Sequence, residues 1–161
     1  MKQHIEEIKK IAIETFAMNH DSIHGIQHWE EVHENGLMLS RQPGVDLVVV
    51  RLFAYLHDCK REDDHQDPEH GDRAADFVVW LRNTGKLHFL KHEQYHKLWM
   101  ACLQHHKGVV DTEDITIGAC FDADRIELIR CGITPREDLM STPMGIRIAK
   151  KMNELKTFKG H

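Results

Sequence analysis

The chain has 161 residues, 41% apolar and 29% charged, with a formal charge of −5 when its 14 histidines are neutral. That suits one domain able to bury a core, and it argues against a surface built to coat the phosphates of a nucleic-acid polymer, since no strong basic stripe would offset them. The four cysteines lack CxxC or framework spacing and read as reduced thiols; the N-terminus is too charged for a signal peptide, and no uncharged run nears the ~20 residues of a membrane span. The expected location is the cytoplasm.

Residues 2–18 carry Ile5, Ile8, Ile11, Ala12, Thr15 and Phe16 at three- and four-residue spacing, which predicts an amphipathic helix. Asn19-His20-Asp21-Ser22 supplies a stop and a cap. A second helix is predicted from about His24 to about Arg41, with Trp29, Val32, Gly36, Leu37 and Leu39 inward. Gln42 to Asp46 forms a loop ending in a cap. Residues 47–58 are apolar almost all round; despite the valine run, their length and lack of turn signals favour a central buried helix over a strand. After a polar loop, Pro68 opens a helix through Ala74, Ala75, Phe77, Val78 and Leu81, ended by Asn83-Thr84-Gly85. Residues 90–106 predict a helix ending at His105-His106-Lys107-Gly108. A capping cluster at 111–114 precedes a short apolar segment, Ile115 to Phe121, which leads into Asp122-Ala123-Asp124-Arg125 and a helix to about Arg130. Thr142-Pro143 opens a last helix. No repeat, linker or convincing strand pair is present, so the class is all-α, one compact helical bundle over 1–161.

Groups suited to chemistry fall in five places: His24 and His28; His57-Asp58; His70; His105-His106; Asp122 and Asp124. Each taken alone has an ordinary explanation. A histidine pair at a helix C-terminus complements the dipole, and an aspartate at a helix start is a cap. Their coincidence at predicted helix ends in one small domain points to a metal. His20, His24 and His28 have the spacing to share one helical face. Imidazole nitrogens with carboxylates, and no thiolate, suit Mn, Fe, Mg, Co, Ni or Zn. Adjacent helical residues diverge by ~100°, so a metal held by both His57 and Asp58 must lie off the end of their helix.

The series His28-Trp29-Glu30-Glu31-Val32, Leu56-His57-Asp58 and Ala123-Asp124-Arg125 resembles the H…HD…D signature of the HD-domain metal-dependent phosphohydrolase superfamily. His24-Gly25-Ile26-Gln27-His28-Trp29, Asp67-Pro68-Glu69-His70-Gly71 and Asp122 to Leu128 with Gly132-Ile133-Thr134-Pro135 resemble the HGxxHW, DPEHG and DADRLDL…GITP segments of a bacterial subgroup without an assigned substrate. The resemblance implies His28, His57, Asp58 and Asp124 as ligands of a first metal. It implies His70 and His106, or His105, as ligands of a second, as in two-metal members such as the HD-GYP phosphodiesterases. The GYP segment is missing, so cyclic dinucleotide cleavage is not implied. Asp122 is a candidate for fixing a histidine tautomer from behind.

In such a site Asp58 would orient a water or take its proton, and cations would hold the phosphate. Arg61 and Arg125 lead the candidates, followed by Lys60, Arg73 and Lys107; Glu62 or Glu69 could serve as general acid or base. The expected function is hydrolysis of a small phosphorylated metabolite, a nucleotide foremost, with one or two divalent metals and a homodimer as the default assembly. Two alternatives are an HD-type di-iron oxygenase and a non-catalytic domain that binds metal and nucleotide.

Overall fold

The computed structural model describes residues 1–159. Its order is α1 (Lys2–Thr15), α2 (Ile26–Leu39), α3 (Leu47–Leu56), α4 (His70–Asn83), α5 (His92–Gln104), α6 (Ile115–Glu127), two 3-10 turns at Leu128–Cys131 and Glu137–Leu139, and α7 (Pro143–Lys159). No strand occurs among the described residues, and no helix there is long and apolar enough to cross a membrane.

The apolar run at 47–56 is helical and central. α3 packs against α1, α2, α5 and α6, and buries every residue from Leu52 to Leu56 as well as Val49 and Val50. Three consecutive valines are poor helix formers, but burial on several faces at once outweighs a propensity cost of a few tenths of a kcal/mol each. Gly36 of α2 lets the neighbouring helix approach, since a Cβ there would run into Val50 Cγ1.

One corner sets the direction of three helices. The Asp46 side chain caps α3 by accepting from the Val48 and Val49 N–H groups, and its other oxygen accepts from Gln94 Nε2 near the start of α5. The Asp46 N–H donates to Thr116 Oγ1 at the start of α6 (3.0 Å). Because α3, α5 and α6 begin together, their C-terminal ends also gather together. The N-terminal ends of α2 and α4 meet them there: His28 faces Asp124, and His70 faces His105.

The expected short segment at 115–121 is instead continuous with Asp122-Ala123-Asp124-Arg125 in α6, capped by Asp114, with only its last turn tightening to 3-10 geometry. His20 and His24 lie in turns before α2 and do not extend its face. His20 packs by Phe16.

Candidate metal centre

Four donor atoms meet where α2, α3 and α6 converge. His57 is the C-cap of α3, and Asp58 follows it where the helix has ended. His28 Nε2 lies 3.0 Å from His57 Nε2, 3.3 Å from Asp58 Oδ2 and 3.3 Å from Asp124 Oδ1. His57 Nε2 is 3.6 Å from Asp58 Oδ2 and 3.5 Å from Asp124 Oδ1. Ligands about 2.1 Å from one ion stand ~3.0 Å apart at right angles and ~3.4 Å apart at tetrahedral angles. The two imidazole nitrogens therefore have the spacing of one coordination shell with Asp124 Oδ1, and likewise with Asp58 Oδ2. His24 Nδ1 comes within 3.1 Å of Asp58 Oδ2 as a further neighbour.

Asp58 Oδ1 faces a second group. It lies 3.4 Å from His70 Nε2 and 3.5 Å from His105 Nε2, and those two nitrogens are 3.0 Å apart. A donor of His106 falls within 4.8 Å of donors of His70 and His105. The His106 ring abuts Gly71, where a Cβ would collide with it, and its Nδ1 is buried without a hydrogen-bond partner. Asp58 thus presents one oxygen to each group.

The back of each ring settles its tautomer. His57 Nδ1 faces the Phe53 and Ala54 carbonyls (3.1 Å each), His105 Nδ1 the Cys102 carbonyl (2.8 Å), and His70 Nδ1 the Asp67 carbonyl (2.5 Å). His28 Nδ1 faces Glu127 Oε2 at 2.9 Å. Each partner only accepts, so each Nδ1 carries the hydrogen and each Nε2 is left with a lone pair. Two pairs of Nε2 lone pairs then confront one another at 3.0 Å beside carboxylates. That arrangement repels unless an electrophile lies between, and a proton or a divalent cation meets the requirement. The residues present fit a divalent metal.

The electrostatics agree. Burial alone would depress His28, but the Asp124, Asp58 and Glu127 carboxylates override it and hold its pKa well above the ordinary imidazole range. Burial would raise Asp58, yet His57, His105, His24 and His28 keep it well below the usual carboxylate range. Asp124 is likewise lowered, burial being outweighed by His28 and His57. The second group behaves oppositely. Burial pushes His70 down to about 4, outweighing the pull of Asp58, with His105 and Arg61 acting in the same direction as burial. Burial also pushes the adjacent Cys59 thiol up to about 12, and its sulfur is in neither group of donors.

Arg61 is brought to the centre. It is 6% exposed, with Nη1 3.7 Å from Asp58 Oδ1 and 3.4 Å from His70 Nε2. It lines a cavity of ≈ 340 Å³ together with His65, Gln66, His70 and His106. A larger cavity of ≈ 410 Å³ also reaches Arg61, between Lys60, Glu62, Arg73 and Phe77, but meets none of the donors, whereas the smaller one is walled by His70 and His106.

Other expected residues are placed elsewhere. Arg125 donates from Nη1 to the Leu139 carbonyl (2.6 Å) and from Nη2 to the Val109 carbonyl (2.5 Å), tying two loops to α6. Asp122 touches no histidine among the described residues; its carboxylate accepts from the N–H groups of Ser141 and Thr142 and from Thr142 Oγ1, anchoring the start of α7. Glu62 is exposed, 3.7 Å from Arg73 Nε, and Arg73 pairs with Asp67. Lys60 Nζ lies over the Phe77 ring, and Glu69 and Lys107 are exposed.

Two partners were not expected. Glu127, rather than Asp122, backs a histidine; it stands one turn after Asp124 on the same helix, a spacing that could have revealed it. Arg130 in turn grips Glu127, with Nε 2.5 Å from Oε1.

No protein-family model and no curated protein matches this sequence. A crystal structure of a predicted HD superfamily hydrolase from an uncultured Thermotogales bacterium matches in structure, with a TM-score of 0.74 at 23% identity, over 96% of this chain and 87% of that one. The chain has the HD-domain fold. Its clustered histidines and aspartates, most of them buried, could hold a metal.

Proposed function

We propose that the chain is a metal-dependent phosphohydrolase acting on a small phosphorylated metabolite, with a nucleotide the leading candidate. The observation carrying this reading is Asp58: its two oxygens divide between two sets of histidine lone pairs, and Arg61 stands against one of them. The description of the Thermotogales protein as a hydrolase supports the same class.

One or two divalent ions, held by His28, His57, Asp58 and Asp124 and by His70, His105 and Asp58, would supply an acidified water and charge stabilisation at phosphorus. Arg61 binds a phosphoryl oxygen from the cavity side, offering a fixed cation that transfers no proton. Its Nε donates to the Asp63 carbonyl (3.1 Å), which holds the guanidinium in place. Asp58, with its lowered pKa, is a weak base, so it orients a water by accepting a hydrogen bond. The ≈ 340 Å³ cavity has room for a small ligand.

The test is a panel of nucleotides and phosphoesters with added Mn, Co, Ni or Mg. Release of phosphate or pyrophosphate that a chelator abolishes and metal restores is expected. No release across the panel from metal-loaded protein overturns the proposal. The surplus of histidines around a bridging carboxylate favours the di-iron oxygenase as second reading; it requires a visible iron chromophore and O2 consumption.

A further inference from the structure

The two halves of the centre are not equivalent. On the His28 side, two carboxylate oxygens, Asp58 Oδ2 and Asp124 Oδ1, stand within 3.3 Å of His28 Nε2. A third carboxylate, Glu127, lies behind His28 at 2.9 Å. On the other side Asp58 Oδ1 is, among the described residues, the one carboxylate oxygen beside His70 and His105, and the Arg61 guanidinium lies 3.7 Å from it. His70 and His105 are backed by neutral carbonyls, which raise imidazole basicity less than a carboxylate does.

Glu127 is also held still. Its side chain is 5% exposed, and Arg130 reaches both of its oxygens, at 2.5 and 3.3 Å. Arg130 Nη2 donates to the Ile23 carbonyl (2.6 Å), just before the turn that carries His24. The carboxylate behind His28 is thereby locked by a residue of the 3-10 turn and by the loop entering α2. Locked outer groups orient a ligand before the ion arrives.

Resting on the metal-centre reading, we infer that the centre loads unequally. The side formed by His28, His57, Asp58 and Asp124 takes a divalent cation first and tightly, with Glu127 and Arg130 as positioning residues. The His70–His105 side takes a second, exchangeable cation, its weak hold set by the shared carboxylate and by Arg61.

The full chain, freed of metal by chelation and titrated with Co2+ alone, tests this through heat and visible absorption. Two unequal steps are expected, with the weaker one lost in His70→Ala. Glu127→Gln should weaken the first step by ~10–100-fold and alter the visible band of the first Co2+, leaving the second step in place. Arg130→Gln, which keeps the carboxylate, should shift the first step in the same direction by less, and it decides the matter if Glu127→Gln does not fold. Equal steps, a first step unchanged in the folded variants, or loss of the tight step in His70→Ala overturns the inference while leaving the metal centre standing. Wild-type protein that binds no Co2+ overturns the metal centre itself.

Discussion

Asp58→Asn probes both halves of the centre at once. The amide keeps the size of the carboxylate but replaces one acceptor oxygen by a donor and removes the charge. Whichever way it turns, one pair of histidines loses the oxygen now 3.3–3.6 Å from its Nε2 atoms. An ion at a hundred times its dissociation constant stabilises the folded state by ~2.7 kcal/mol per site. For a chain of 161 residues, at ~2–4 °C per kcal/mol, that is a rise of about 5–11 °C in Tm. The assay is thermal unfolding by far-UV circular dichroism, with chelator and with excess Mn2+ or Co2+. Wild type should show the rise. Asp58→Asn should keep a helical spectrum but lose the part of the rise that belongs to the side left without an oxygen. A variant retaining the full metal-induced rise would refute Asp58 as the shared ligand.

Asp122→Ala should destabilise the chain by ~2–4 kcal/mol, because two buried N–H groups and a hydroxyl lose their acceptor, yet leave metal content unchanged. Asp124→Ala should do the reverse; metal analysis beside chemical denaturation separates the two, and equal metal loss in both would contradict the distinction. Gly36→Ala should cost ~1–2 kcal/mol despite the better helix propensity of alanine, since its Cβ meets stiff Val50; a stabilised variant would show that α2 and α3 can move apart freely. In chelated protein the raised His28 pKa stabilises the fold below the ordinary imidazole value of ~6.5, and that contribution is lost as pH rises through the raised value. Above pH ~6.5 Tm with chelator should therefore fall as pH passes through that raised value, while the metal-induced rise grows as proton competition fades. A metal-induced rise that shrinks over this range would count against His28 as a ligand.

The helices were legible because burial and periodicity are local signals. The valine run of α3 was read correctly by its length, and the end of its apolar stretch located His57-Asp58. What was not legible depends on distant chain. His24 arrives by a turn, in which the Gly25 N–H bonds the Ser22 carbonyl and the His24 carbonyl accepts from Trp29 Nε1, and not by extension of the α2 face. Arg125 and Asp122 look like site residues beside Asp124, but their partners lie 14 to 20 residues away in chain segments whose path spacing does not encode. Likewise, His105 caps α5 and His106 lies in the turn beyond it, so which Nε2 faces Asp58 depends on how the end of that helix sits against α3 and α4.

Anomalous scattering from crystals of the metal-loaded protein tests the centre most directly. The strongest peak is expected among His28 Nε2, His57 Nε2, Asp58 Oδ2 and Asp124 Oδ1, with any second peak beside Asp58 Oδ1, His70 and His105. Metal-loaded crystals with no peak in contact with Asp58 would contradict the account.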